Sequence, residues 1–444
     1  MNDTGTPSPV TLGQASLYWL KLGFISFGGP AGQIAIMHRD LVEQKGWISE
    51  KRFLHALNFC MVLPGPEAQQ LATYIGWLMH RNWGGIIAGA LFVLPSFFLL
   101  VALTWIYLAY GHVPAVAGVL YGIKPAIVAV VIYAAYRIGS RTLNNYVLWF
   151  ISAFAFVALT IFKLPFPFII LTAGVIGYGG GRFLPHRFET GKSHGASREQ
   201  SRPALIDDTS PIPSHALFSW SAFWRTVATG LVIWLVAIGI LSGLYGWNGT
   251  FTQMGWFFTK AALLTFGGAY AVLPYVYLGA VEHYQWLTAV QMIDGLALGE
   301  TTPGPLIMVV TFVGFVGGWV MQVLGPEARF ASAFTGAAVA TFFTFLPSFI
   351  FIFMGAPFIE TTHGKLSFTA PLKAITAAVV GVILNLAVFF AYHVVWPQGW
   401  AGVADGFSIA LIIAAVVMMF RFNAGVIPVL LSCGMLGMVW RLVG

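Results

Sequence analysis

The sequence predicts an all-α polytopic membrane protein with about thirteen transmembrane helices, arranged as two inverted six-helix repeats joined by an extra helix. Hydrophobic residues make up 58% of the 444 positions and charged residues only 8%, whereas soluble domains carry about 25% charged residues. Apolar runs of roughly 17–25 residues, the length that crosses a bilayer as a helix, recur along the whole chain. Several short motifs also occur twice in the same order.

The apolar segments fall into two groups separated by a polar stretch, Arg182–Ser219, which has the composition of a flexible linker. The first group covers roughly residues 12–36, 53–79, 84–110, 115–137, 146–164 and 165–181. The second covers roughly 220–245, 251–278, 291–321, 331–354, 371–395, 406–421 and 424–441. We therefore expect an N-terminal repeat over 1–181, a cytoplasmic linker over 182–219, a connecting transmembrane helix over 220–250 and a C-terminal repeat over 251–444.

The repeated motifs indicate an internal duplication, because they keep their order over a whole half of the chain. The matched pairs are Lys21 with Lys260, Phe27-Gly28-Gly29 with Phe266-Gly267-Gly268, Pro64-Gly65-Pro66 with Pro303-Gly304-Pro305, Leu94-Pro95-Ser96-Phe97 with Leu346-Pro347-Ser348-Phe349, and Lys124 with Lys373.

The orientation of the two repeats depends on how often the chain crosses the membrane. If every apolar segment crosses once, equivalent helices are an odd number of crossings apart and the repeats are inverted, a common plan among secondary transporters. The basic linker is expected inside, with the N-terminus cytoplasmic and the C-terminus periplasmic. One loop, His38–Arg52, is basic but falls outside. A re-entrant hairpin over 53–79 would move this loop inside and make the repeats parallel; we favour single crossings.

Several classes of function are disfavoured. The formal net charge of +7 reflects basic loops and the linker, and no basic cluster with interleaved aromatic residues suggests a nucleic-acid partner. Cys60 and Cys433 lie far apart in apolar runs, so neither a disulfide nor a metal site is expected. Walker A and zinc-protease motifs are absent from the sequence. We expect no catalytic residue and no cofactor. Met1–Val10 lacks the basic residues of a signal peptide, so the first helix is expected to stay.

The two Pro-Gly-Pro breaks are the strongest candidate site. Proline interrupts a helix, and the backbone groups that it frees in a membrane must find partners in protein or water. Each break can start a new half-helix, whose free N–H groups and positive dipole end attract anions. The substrate-binding candidates here are Pro64, Gly65, Pro66, Pro303, Gly304 and Pro305, with the flanking Thr301 and Thr302 and the paired glycines Gly28, Gly29, Gly267 and Gly268. Tolerated kinks and close helix packing are the alternatives.

Charged residues within the apolar segments complete the candidate list. Lys21, Lys124 and Lys260 are expected to offset the charge of an anion, because a charge within a membrane helix is costly and commonly functional. Snorkelling to the membrane surface is the alternative for each lysine. Glu67, Glu300, His55 and Asp294 are candidates for proton coupling, with salt bridges to lysine as the alternative for the two glutamates.

These motifs together resemble the chromate ion transporter family in its long two-domain form. The resemblance rests on "FGGP" after a helix-borne lysine, "LPGPEAQQLATYIGW", "LPSF", "FGGAYAVLP" and "TTPGPL", and it covers nearly the whole chain. It implies export of chromate from the bacterial cytoplasm, driven by the proton motive force, and a link to sulfate. The family arrangement has thirteen helices, a cytoplasmic N-terminus and antiparallel halves. Ala269 departs from the pattern, because Pro30 stands at the equivalent position.

We therefore expect a secondary transporter in the bacterial inner membrane that exports chromate or a similar oxyanion such as sulfate. Its expected partners are the oxyanion, protons and the lipid bilayer, and the sequence leaves a homodimer open. A passive anion channel is the alternative, since it would share the broken helices and basic residues. A membrane-embedded oxyanion reductase would need a redox cofactor site, which two isolated cysteines do not favour.

Overall fold

The structure is a computed structural model that describes residues 9–27, 29–183, 204–207, 213–266, 268–362, 369–399 and 402–443. Within these ranges the chain is helical, with an isolated bridge between Ile48 and Ile206 and no β-strand, which confirms the all-α prediction for the described part. The helices are α1 (Leu12–Ile25), α2 (Gly29–His38), α3 (Glu50–Cys60), α4 (Glu67–Tyr110), α5 (Pro114–Thr142), α6 (Tyr146–Thr160), α7 (Phe166–Phe183), α8 (Trp220–Tyr245), α9 (Thr250–Leu263), α10 (Ala269–Tyr277), α11 (Ala289–Thr301), α12 (Val309–Met321), α13 (Arg329–Thr362), α14 (Thr369–Val395), α15 (Gly406–Arg421) and α16 (Val426–Val443).

Both halves of the chain contain the same order of elements. Helix α4 consists of two pieces that meet at His80 and Arg81, where the backbone is not helical. Its first piece corresponds to α12 and its second to α13, while α1–α3 correspond to α9–α11 and α5–α7 to α14–α16. Even a π-helical turn recurs, at Arg39–Gln44 after α2 and at Leu278–His283 after α10. This order supports the predicted duplication.

The first four helical pieces of each half are short, with 14 residues in α1 and 9 in α10, and they pair as helical hairpins. Hairpin 1 is α1 and α2, hairpin 2 is α3 and the first piece of α4, hairpin 3 is α9 and α10, and hairpin 4 is α11 and α12. The ring of Trp47, beyond the end of α2, lies 5.2 Å from the ring of Tyr18 in α1. The equivalent pair in hairpin 3, Trp286 and Phe257, lies 5.6 Å apart. In both hairpins, therefore, the second arm runs back along the first.

The described part of the linker lies against the ends of the first two hairpins. Leu205 N donates to Gly46 O (2.8 Å), and Ser49 N donates to Ile206 O (3.0 Å). At the end of hairpin 2, His215 Nε2 lies 3.1 Å from Trp77 O. The basic loop His38–Arg52 is thus on the same side of the molecule as the linker, which favours the re-entrant alternative for residues 53–79.

Long helices of each half pack against long helices of the other half. Helix α5 packs against α15 and α16 of the second half, and α14 packs against α6 and α7 of the first. Glycines permit the close approach: a Cβ at Gly177 in α7 would lie 2.7 Å from Pro371 Cα in α14, and Gly437 in α16 lies directly against Gly122 in α5. Small residues at such crossings are typical of membrane helices. Neither half forms its own closed bundle.

Within the described residues, seven helices are long and apolar enough to cross a membrane: α4, α5, α7, α8, α13, α14 and α16. Helices α6 and α15 are apolar but shorter, and so is the segment Leu306–Met321 that contains α12. The protein is therefore a polytopic helical membrane protein, as predicted, while the count of about thirteen crossings stays a prediction.

The docking of the linker should weaken in mild acid. Burial lowers the pKa of His215, and the nearby charge of Arg81 adds to this effect. A histidine whose pKa is lowered in the docked state favours docking above its ordinary pKa of about 6.5 and opposes it as the pH falls below that value. We expect amide hydrogen exchange at Ala204–Asp207 to accelerate as the pH falls from 7.5 to 5.5, after correction for the intrinsic exchange rate. In His215→Gln this extra acceleration should disappear; its persistence would contradict the prediction.

Candidate functional site

The turns between the arms of the four hairpins, here called the tips, meet inside the molecule. Tip 1 is residues 26–29, of which Gly28 lies outside the described residues; tip 2 is 61–66; tip 3 is 264–268, of which Gly267 lies outside them; tip 4 is 302–305. Gly65 N in tip 2 donates to Thr265 O in tip 3 (2.8 Å), and Gly304 N in tip 4 donates to Ser26 O in tip 1 (2.7 Å). Since Ser26 and Thr265 are equivalent positions, the two bonds repeat one contact between the halves. The Pro-Gly-Pro breaks thus join one half to the other.

Two serines from the repeated Leu-Pro-Ser-Phe motif support tips 2 and 4. Ser96 Oγ donates to Pro303 O. Ser348 Oγ is placed so that a Cβ at Gly65 would lie only 2.5 Å from it. Both break glycines have positive φ, +128° at Gly65 and +103° at Gly304. Side chains rarely adopt this conformation, so glycine suits both positions for its backbone freedom and its lack of volume.

Several polar atoms at the tips are buried without a partner among the described residues. They are Ser26 Oγ, Gln33 Oε1, Gln70 Oε1 and Ser348 Oγ, on side chains that are at most 1% exposed. The amide nitrogens of the two glutamines are satisfied: Gln33 Nε2 donates to Gly304 O (2.5 Å) and Gln70 Nε2 to Pro64 O (2.8 Å). Buried polar groups are nearly always hydrogen-bonded, so a cluster of unpaired ones indicates a place for water or a polar ligand.

Helical segments begin at all four tips. No side chain caps the helical segments that begin after Pro66, Gly268 and Pro305. By contrast, Thr11 and Thr288 cap α1 and α11, which begin at the outer ends of hairpins. Gly29 and Gly268, with φ of +70° and +98°, have open space where a Cβ would stand. The tips therefore combine free helix N-termini, which favour negative charge, with backbone that a ligand can approach closely.

Two carboxylates lie at the tips. Glu67, half-buried, is the first residue of α4 and follows tip 2 directly. Glu300, also half-buried, accepts a hydrogen bond from the hydroxyl of Tyr270, the second residue of α10. A nearby anion would repel either carboxylate while it is ionised, so anion occupancy and carboxylate protonation are linked.

The predicted lysines do not bond to the tips within the described residues. Lys21 is exposed on the face of α1 that also carries Leu17 and Phe24. Lys260 is half-buried, with Nζ 5.6 Å from the centroid of the Trp256 ring, and it lines a cavity of about 270 Å³. The contribution of these charges to anion binding at the tips stays a prediction.

Lys124 and Asp294 form an ion pair between the halves. Lys124 Nζ in α5 lies 3.4 Å from Asp294 Oδ1 in α11, and Tyr107 OH in α4 donates to Asp294 Oδ2 (3.0 Å). His55, at the position equivalent to Asp294, instead lies with Nε2 3.4 Å from Ile359 O in α13. In both places a residue of a hairpin arm contacts a long helix of the other half.

The predicted threonines bond within their own helix end. Thr301 Oγ1 donates to Leu298 O and Thr302 Oγ1 to Gly299 O, each at 3.0 Å. Each hydroxyl retains its capacity to accept a hydrogen bond. They terminate α11 at tip 4.

Sequence reasoning missed four polar residues at the tips: Ser26, Gln33, Thr265 and Tyr270. The first and third had a signal, because a hydroxyl residue stands directly before Phe-Gly-Gly in both repeats. Gln33 and Tyr270 are opposite Val272 and Ala31 in the other repeat, so no duplication pointed to them.

Comparison with known proteins agrees with these features. The family model described as Chromate transporter matches residues 13–178 and 252–438, two ranges that fall within the two halves. The chain is 31% identical to the chromate transport protein of Cupriavidus metallidurans over 388 residues, which cover 87% of this chain and 84% of that protein. It is 31% identical to the chromate transport protein of Pseudomonas aeruginosa over 434 residues, 97% of this chain and 93% of that protein.

The probable chromate transport protein of Synechococcus elongatus is 29% identical over 380 residues, 85% of this chain and 84% of that protein. No solved structure matches the fold. These relatives are named as transport proteins and not as enzymes, which agrees with the sequence prediction. The family model matches both halves of the chain, and two chromate transport proteins match most of its length. The chain therefore belongs to the chromate transporter family.

Proposed function

We propose that this protein is a secondary transporter that exports chromate, or a similar oxyanion such as sulfate, across the bacterial inner membrane with coupling to the proton motive force. The observation that supports it best is the meeting of four hairpin tips, where helix starts without side-chain caps and unpaired buried polar atoms surround one region. A tetrahedral dianion has four acceptor oxygens, to which the backbone N–H groups of the helix starts and the hydroxyls of Ser26 and Ser348 could donate. The relatives named for chromate transport support this choice of substrate.

The proposed topology has inverted repeats over 1–181 and 251–444. The seven long apolar helices, together with α6 and α15, would cross the bilayer, while all four hairpins re-enter from the side on which they begin. This topology has nine crossings and would replace the count of about thirteen expected from the apolar runs. Because hairpin 1 returns as well as hairpin 2, an odd number of crossings still separates equivalent elements, and the repeats stay inverted. The linker over 182–219 and the N-terminus would be cytoplasmic, residues 220–250 would include the connecting helix, and the C-terminus would be periplasmic.

The membrane potential would drive export, because the substrate is an anion. An inside-negative potential favours outward movement of an anion by about 2.3 kcal/mol per charge per 100 mV. Glu67 and Glu300 would add a pH dependence, because a carboxylate beside a bound dianion is less costly when it is protonated.

The direct test is uptake of chromate and of sulfate into inverted membrane vesicles with an imposed potential and an imposed pH gradient. Saturable uptake that depends on either gradient is expected. A passive channel is the alternative, and counterflow separates the two: a preloaded transporter exchanges labelled for unlabelled anion without a gradient. The close packing of Gly65 and Gly304 against Ser348 and Ser96 favours alternating access over an open pore. Absence of uptake for both anions would overturn the proposal.

Glu300→Gln should weaken the dependence on the pH gradient, with Glu67 supplying the remainder, and leave the dependence on potential. The amide keeps an oxygen that accepts from Tyr270 but carries no titratable proton. The measurement is the initial uptake rate in vesicles at fixed potential, with and without a pH gradient. The matched control is Glu327→Gln, an exposed glutamate after α12, which should behave like the unaltered protein. A pH-gradient effect of unchanged size in Glu300→Gln would remove Glu300 from the coupling mechanism.

A further inference from the structure

The cavity beside Lys260 is separate from the tips. It has a volume of about 270 Å³ and lies between the turn that joins α6 to α7 and the outer surface of hairpin 3. Pro165 and Phe166 line it on one side; Lys260, Tyr275 and His283 line it on the other. A water molecule occupies about 30 Å³ in the liquid, so the cavity has room for a tetrahedral oxyanion with part of its hydration shell.

Lys260 gives the lining of the cavity a positive charge. No carboxylate among the described residues lies within ion-pair distance of this ammonium group. The contact with the Trp256 ring, at 5.6 Å, stabilises a cation but leaves its net charge in place. A half-buried ammonium among aromatic walls therefore attracts an anion.

The cavity lies along hairpin 3, between its outer end and tip 3. His283 ends the π-helical turn after α10, far from tip 3, whereas Lys260 is three residues before the end of α9, which leads into tip 3. An anion at Lys260 would therefore stand between the outer end of the hairpin and the region where the tips meet.

We infer that Lys260 and this cavity form a second, vestibular oxyanion site, distinct from the tips, that holds the hydrated anion on its path to or from them. The inference rests on the proposed transport function for the identity of the anion. It changes the predicted role of Lys260, which serves here as an electrostatic capture residue and not as a ligand of the central site.

The protection experiment uses His283→Cys, at an exposed position of the cavity lining, in the full-length protein with Lys260 intact, reconstituted in phosphatidylcholine vesicles. The double variant His283→Cys with Lys260→Gln carries the same thiol without the cation. Both native cysteines are buried, Cys60 at 0% and Cys433 at 1% exposed, so the introduced thiol is the accessible one. A membrane-impermeant cationic methanethiosulfonate modifies it, and the rate is measured with sulfate, molybdate or chloride at equal ionic strength. Molybdate is a tetrahedral dianion that spares thiols. The matched control is Lys163→Cys, at an exposed lysine in the same α6–α7 turn but outside the cavity lining.

Sulfate or molybdate should slow the modification of H283C by at least about threefold near saturation, while chloride has no effect and K163C is unprotected. The protection should be lost when Lys260→Gln is added to H283C. Transport by K260C should show a KM about fivefold higher, because the cation that raises the local anion concentration is lost. Attachment of the cationic reagent should restore the KM, and an anionic reagent of similar size should not. A merely structural lysine would show no such dependence on the sign of the attached charge.

Two results would overturn the inference. The first is equal modification rates in the presence and absence of both oxyanions. The second is protection that requires anionic lipid in the vesicles and ignores sulfate and molybdate, which would show that the cavity holds a lipid phosphate. If the unaltered protein transports neither anion, the proposed function fails, while the protection assay still reports on the cavity. If transport is normal and H283C is unprotected, only the vestibular site fails.

Discussion

Gly304→Ala is expected to destabilise the protein by about 3 kcal/mol or more and to abolish transport. The φ of +103° at this position costs a side chain about 1–2 kcal/mol. The new Cβ would also overlap Ser96 Oγ, and overpacking of a tight site adds about 1–3 kcal/mol. The bond from Gly304 N to Ser26 O would be displaced as well. Thermal unfolding in detergent and vesicle uptake are the measurements.

Two further variants separate the causes. Gly268→Ala introduces the same methyl group at a φ of +98°, but no atom lies within 4 Å of its Cβ; we expect it to lose only the backbone contribution. Gly304→Ala combined with Ser96→Gly removes the overlapping side chain and should recover part of the stability. Equal losses in Gly268→Ala and Gly304→Ala would mean that packing between the halves at tip 4 does not matter.

Asp294→Ala should destabilise the protein by about 3 kcal/mol, the lower end of the range for leaving a buried partner uncompensated. Asp294 is only 2% exposed, while Lys124 keeps 24% of its side chain exposed, so solvent can relieve part of the penalty. Tyr107 would lose its acceptor at the same time. The free energy of unfolding, from denaturant titration in detergent, measures the loss.

The double variant Lys124→Met with Asp294→Leu is the control, because apolar replacement of both members of a buried pair is often neutral. Its stability should return to within about 1 kcal/mol of the unaltered protein. Uptake by this stable variant then tests the predicted proton role of Asp294: if the rate and its pH dependence are unchanged, the carboxylate only joins the halves. If Asp294→Ala is as stable as the unaltered protein, the ion pair does not stabilise the contact between the halves.

Composition could predict the helical membrane class, because apolar runs of this length are typical of transmembrane helices. Motif order could predict the duplication, because repeated motifs are visible in the sequence alone. The breaks at Pro64–Pro66 and Pro303–Pro305 could be predicted for the same reason. The direction of the chain after each break could not. Residues 12–36 look continuous in the sequence, whereas the contact of Trp47 with Tyr18 shows that the chain turns back.

The side-chain environment of the charges was also beyond the sequence. Lys21 and Lys260 are equivalent in the repeat, yet one is exposed on α1 and the other borders a cavity. Which face of a helix is covered depends on neighbours from the other half of the chain. The pairing of Lys124 with Asp294 joins residues far apart in sequence, and no local pattern predicts such a partner.

The packing of α5 against α15 and α16 has a consequence for biosynthesis. A ribosome adds about 5–20 residues per second, and α15 begins only at Gly406, long after α5 has ended at Thr142. The surface of α5 that will be buried, including Gly122, must therefore remain in lipid or against an insertion factor for more than ten seconds or so. Helices α15 and α16 complete the scaffold around a helix from the first half, so this part of the fold forms only after they have been synthesised.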